Sequence, residues 1–124
     1  MSEQTKQNKQ IKEFVDMYID KKYKIDWNVI KLSKANGQSH NQMVATICVW
    51  CIHNDIQFAT ECHLVGNYRP DVIVPFGLPV RIIEVRNSET ERRTQEKMGR
   101  IPKDLQVQIA YVNANQPFNE KSIQ

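Results

Sequence analysis

RPDVIVPFGLPVRIIEVR, residues 69–86, is the stretch on which the reading of the chain turns. Asp71–Phe76 and Val80–Asn87 are β-branched, apolar and short. They flank Gly77-Leu78-Pro79, a turn compatible with an antiparallel hairpin. In such a hairpin the start of the first strand lies beside the end of the second, so Asp71 comes close to Glu84 and Arg86. Side chains alternate along a strand, so Glu84 and Arg86 project to one face. Two carboxylates among Ile73, Val74, Ile82, Ile83 and Val85 repel each other unless a cation lies between them. Hard oxygen ligands suit Mg²⁺ or Mn²⁺.

Upstream, Ile56–Val65 alternates around a β-rich core and Gly66-Asn67 turns the chain into the Asp71 strand. Before it, a helix runs from Ser39 or Asn41 to about Asn54, with Val44, Ile47, Cys48 and Cys51 on one side. Downstream, Ser88-Glu89-Thr90-Glu91 is a capping box that opens a polar helix to about Arg100. Pro102 ends it, and Val107–Asn113 reads as a last strand. The order from residue 41 is αβββαβ, an α/β class with a mixed sheet flanked by helices. Residues 41–113 form the core.

Residues 1–40 read as a helical extension. Ile11, Phe14, Val15, Tyr18 and Ile19 recur at helical spacing and predict an amphipathic helix ending near Lys22, after a frayed, polar first ten residues. Its apolar stripe has two readings, packing on the domain or a homodimer interface. Tyr23–Ala35 alternates like a strand, but Asp26 as cap and Asn36-Gly37 as stop favour a second helix. Residues 114–124, from Pro117 onward above all, read as a tail.

With 124 residues, 40% hydrophobic and 25% charged, the chain supports one modest core. The net charge of +3 is small but uneven. Residues 1–40 carry eight lysines against five acids, and residues 69–100 carry six arginines and a lysine against five acids. Residues 41–68 have neither Lys nor Arg. No apolar run has the length of a signal peptide or membrane span, so no membrane association and an intracellular, cytoplasmic location are expected. Cys48-Val-Trp-Cys51 with His53, Cys62 and His63 invites a zinc or iron–sulfur reading. The apolar helical setting and the odd number of cysteines favour reduced, metal-free core thiols instead.

Arg69-Pro70-Asp71, twelve intervening residues, then Glu84-Val85-Arg86, on an αβββαβ frame, resembles the PD-(D/E)xK nuclease superfamily. That group includes restriction endonucleases and archaeal Holliday-junction resolvases. The resemblance covers about residues 40–113 and implies a restriction-endonuclease-like core. It also implies a metal-dependent DNA endonuclease, structure-specific in the resolvase branch, with RNA an open alternative. Asp71 and Glu84 would be metal ligands and Arg86 would hold the catalytic lysine's position.

Two departures qualify the match. Arginine steers a phosphate or a water but has too high a pKa to be a general base. The glutamate that many members carry early in the first core helix is also missing. His40 or Gln42 stands in that region, Glu61 is an alternative third oxygen ligand, and Lys97 is an alternative source of an ammonium. These departures keep a second function open: a catalytically silent nuclease fold acting as a nucleic-acid-binding or protein-interaction module. A third is a subunit active only with a partner. Arg93, Lys97 and Arg100 form a basic ridge on the capped helix, either solvated or contacting phosphates. Tyr68 and Arg69 either clamp a nucleotide or, for the tyrosine, pack.

Overall fold

The computed structural model describes residues 2–86 and 99–123. Helix α1 (Glu3–Tyr18) begins eight residues before the apolar stripe does. The Ser2 side chain accepts from the Thr5 N–H at 3.1 Å, and Gln, Lys and Glu fill the first turns, so the polar start is helical rather than frayed. The helix also stops four residues short of Lys22. Ile19 leaves it in extended conformation and bridges to Leu64.

Helix α2 (Gln38–His53) is the expected first core helix. Between the two, the second helix proposed for 26–36 does not form, and only Lys34–Asn36 makes a 3₁₀ turn. Asn28 takes φ 62°, which breaks any helix there, and the segment binds the sheet edge instead. Asn28 N–H donates to Phe58 O at 2.7 Å, the Phe58 N–H to Asn28 Oδ1 at 3.2 Å, and the Lys31 N–H to Thr60 Oγ1 at 2.8 Å. An open edge is thereby covered.

The sheet contains β1 (Ala59–Thr60), β2 (Val72–Ile73), β3 (Ile82–Arg86) and β4 (Ile109–Asn113) in that spatial order. The first two pairings are antiparallel and β3–β4 is parallel, a mixed α/β sheet. The long strand expected over 56–65 shrinks to two residues, because Glu61 takes φ 51° and ends the extended run. The Asp71–Phe76 strand shrinks likewise.

The sheet buries two faces. Val44, Ile47, Cys48 and Cys51 of α2 pack on Val72, Val74, Ile83, Val85, Ala110 and Val112. On the other face Phe14, Tyr18 and Ile19 pack with Ala59, Ile73, Ile82 and Leu105. The stripe of α1 is therefore covered by its own sheet, and the Tyr18 hydroxyl donates to Asp104. The segment read as a tail is anchored too. Ile123 is fully buried in the α2-side core, Phe118 sits edge-on to Trp50, and the Trp50 Nε1–H donates to Glu120 at 2.9 Å. Among the described residues no helix is long and apolar enough to cross a membrane. The helix expected over 88–100 falls mostly on 87–98, outside the described residues.

A candidate metal centre where β2 meets β3

The β2–β3 register pairs Val72 with Ile83, and one further step sets Asp71 opposite Glu84. At that step side chains replace the ladder. The Asp71 N–H donates to Glu84 Oε1 at 2.8 Å, and the Val85 N–H donates to Asp71 Oδ2 at 2.7 Å. Each carboxylate thus takes a backbone donor of the opposite strand, which fixes both and ends the regular pairing. His40, on the first turn of α2, brings Nε2 within 3.1 Å of Asp71 Oδ1. Glu84 is 4% exposed, and the His40 and Asp71 side chains are 11% and 14% exposed. Two carboxylates are thus held together with little water to screen them, an arrangement that favours a bound proton or cation.

Of the two residues named for the start of this helix, His40 is the one that reaches Asp71. Gln42 is exposed on the outer side of α2 and takes no part. Glu61 is a different matter. Its N–H reaches Asp71 O at 3.4 Å, so Glu61, Asp71, Glu84 and Tyr111 stand in one row across the four strands. The left-handed backbone at Glu61 swings its carboxylate out of that row, to Asn36 Nδ2 at 3.3 Å and Arg69 at 3.5 Å. Among the described residues no group of three or more His, Cys, Asp or Glu side chains is gathered as a metal cluster. The third carboxylate ligand is not assembled, and Arg69 is held by Glu61 at an exposed position.

Arg86 leans the other way. Its guanidinium lies 3.7 Å over the ring of Tyr111, the residue paired with Glu84 on β4. Nothing in the local sequence signals this contact, because β4 arrives through a long crossover. Arg100 is exposed in a turn, its carbonyl against Gly66, where an added Cβ would sit 2.9 Å from it. Arg93 and Lys97 lie outside the described residues.

Tyr68 is not the nucleotide clamp that its turn position allowed. It is 1% exposed, in the core on the α1 side of the sheet. Its hydroxyl is turned toward the acidic pair and lies close enough to Glu84 to donate to that carboxylate, though short of good hydrogen-bond geometry. Burial first, then the negative charge of Glu84, drives its pKa far above the ordinary tyrosine value. A buried and poorly satisfied hydroxyl beside two carboxylates fits a site with room for a further polar group.

Cys48, Cys51 and Cys62 are buried free thiols. Burial raises Cys48 to about 12 and Cys51 to about 11, so both remain protonated, weak ligands at neutral pH. Comparison of the chain with protein-family models, with curated proteins and with solved structures found no match.

Proposed function

We propose that this chain is a metal-dependent DNA phosphodiesterase of PD-(D/E)xK type, with Asp71 and Glu84 as the ligands of Mg²⁺ or Mn²⁺. The observation that supports it best is the locked Asp71–Glu84 pair, each carboxylate held by a backbone N–H of the other strand. The donor set fits such an ion. Two carboxylates leave most of the coordination sphere to water and phosphate oxygens, as these cations prefer. The imidazole on Asp71 Oδ1 would orient that carboxylate from outside the coordination sphere.

A bound cation would lower the pKa of a water and offset charge on the phosphoryl group. The protein's own groups prepare that chemistry. Val85 N–H and His40 Nε2 hold the two oxygens of Asp71 at fixed positions, and the Asp71 N–H holds one oxygen of Glu84. Arg86, resting on Tyr111, offers a fixed positive charge to phosphate, not a base. The resemblance to restriction-endonuclease-like cores enters here as part of the proposal. So does DNA as partner.

A catalytically silent binding module is the second reading. It is favoured by the full engagement of Asp71's oxygens and by the lean of Arg86 toward β4. Nicking of supercoiled, linear and four-way-junction DNA with Mg²⁺ or Mn²⁺ separates the two. Weak Mn²⁺-dependent cleavage by the wild type, held or raised in Arg86→Lys, supports the enzyme. No cleavage by either protein, with no Mn²⁺ binding, leaves the silent module.

A further inference from the structure

A cavity of about 200 Å³ opens along β1. It is lined by Tyr23, Lys24, Lys31, Thr60, His63 and Arg69, among others. Its position follows from the sheet, since Thr60 pairs with Val72 and Arg69 stands two residues before Asp71. The cavity therefore adjoins the Asp71 strand, since Glu61 of its lining donates its N–H to Asp71 O at 3.4 Å.

Two features of this cavity go beyond ordinary surface charge. Tyr23 and His63, forty residues apart, stack face to face with ring centroids 3.6 Å apart and planes 8° from parallel. Tyr23 is the outer ring and is 48% exposed, whereas no apolar core claims it. Burial first, then Arg69, lowers the pKa of His63, so the inner ring is neutral at pH 7. The second feature is charge. Lys24, Lys31 and Arg69 stand against Asp26 and Glu61 in the lining, three cations to two carboxylates, a net of +1. Asp26 and Glu61 meet Lys31 at 2.6 Å and Arg69 at 3.5 Å, which holds those cations at the rim without cancelling the excess.

We infer that the Tyr23–His63 stack with Lys24, Lys31 and Arg69 is a binding site for an unpaired nucleotide adjoining the phosphate at Asp71. An aromatic face takes up a base only when that base is out of its own duplex stack, and cations beside the face take the backbone phosphate. The inference rests on the phosphodiesterase reading for what the strand is held for, and it narrows the substrate to DNA with single-stranded character next to the cut. Glu61 contributes by its left-handed turn, which removes its carboxylate from the row of Asp71 and Glu84 and sets Arg69 at the cavity.

The test uses the full chain in EDTA, so that binding is read without cleavage. Fluorescence anisotropy compares a labelled single-stranded oligothymidylate with a duplex of the same length, for the wild type, Tyr23→Ser, Tyr23→Phe and Arg69→Gln. The wild type should prefer the single strand. Tyr23→Ser should lose about 5- to 100-fold in single-strand affinity and Tyr23→Phe little, the span expected for one base stack. Arg69→Gln should lower the slope of log affinity against log salt by about 0.7. A wild-type preference for duplex, or single-strand binding by Tyr23→Ser equal to the wild type, overturns the site. Single-strand binding as expected without any Mn²⁺-dependent cleavage removes the nuclease reading and leaves the pocket standing. Cleavage by a Tyr23→Ser protein that binds like the wild type removes the pocket alone.

Discussion

Tyr68→Phe should make this protein more stable and its metal site weaker. The Tyr68 ring is 1% exposed, and its buried hydroxyl makes no well-formed hydrogen bond among the described residues, only a poorly aligned approach to Glu84. A hydroxyl stripped of water and given no hydrogen bond costs about 1–3 kcal/mol, and phenylalanine fills the same space without that cost. Stability in EDTA should therefore rise by about 1–2 kcal/mol. For a chain of this length that is about 3–6 °C in Tm per kcal/mol. In the native protein the hydroxyl faces Glu84 and Asp71, and it stays protonated because burial and the Glu84 charge both oppose ionisation. If a cation and its waters fill the proposed site, the hydroxyl gains a better-aligned partner than Glu84 alone. Mn²⁺ should thus stabilise the wild type more than the variant, by the logarithm of its relative affinity. Urea unfolding followed by circular dichroism, with and without Mn²⁺, reads both effects. A loss of more than about 1 kcal/mol in Tyr68→Phe would show that the hydroxyl is bonded in the native state. Equal stabilisation of both proteins by Mn²⁺ would show that it has no part in the site.

Ile123→Ala should cost about 2–5 kcal/mol in a denaturant titration, since the side chain is fully buried on the α2 side; a change under about 0.5 kcal/mol would return the C-terminal segment to a tail. Cys48 and Cys51 titrate from about 9 in the unfolded chain but only at about 12 and about 11 when folded. A raised native pKa gives stability that is complete below pH 9 and is lost as pH climbs through 11 and 12. Native protein should accordingly resist a thiol reagent at pH 8 and react at once in denaturant; rapid native labelling would contradict the burial.

The sequence carried the skeleton where local pattern and tertiary demand agreed. The apolar stripe of α2 named the residues that reach the sheet, and the Gly66 and Gly77 turns gave the antiparallel order β1-β2-β3. The Asp71–Glu84 meeting followed from hairpin geometry alone. What escaped was long-range or set by backbone at single residues. The alternation over Tyr23–Ala35 could not reveal an edge cover made through Asn28 and Lys31. Glu61 lies in the row of Asp71 and Glu84 by register but out of it by φ, a sign change that no composition shows. Tyr111 under Arg86 and His63 under Tyr23 join residues that the chain keeps far apart. The polar start of α1 hid a helix because capping and propensity, not an apolar face, hold it there.

Mn²⁺ calorimetry on the wild type and Asp71→Asn tests the central claim most directly, because it asks only whether the pair binds a cation. Asparagine is close to aspartate in size and keeps one acceptor oxygen for the Val85 N–H, so the variant should fold while losing the charge that places the ion. The wild type should give saturable, single-site heat and Asp71→Asn none at the same concentrations. No heat from the wild type, or the same heat from both proteins, would contradict it.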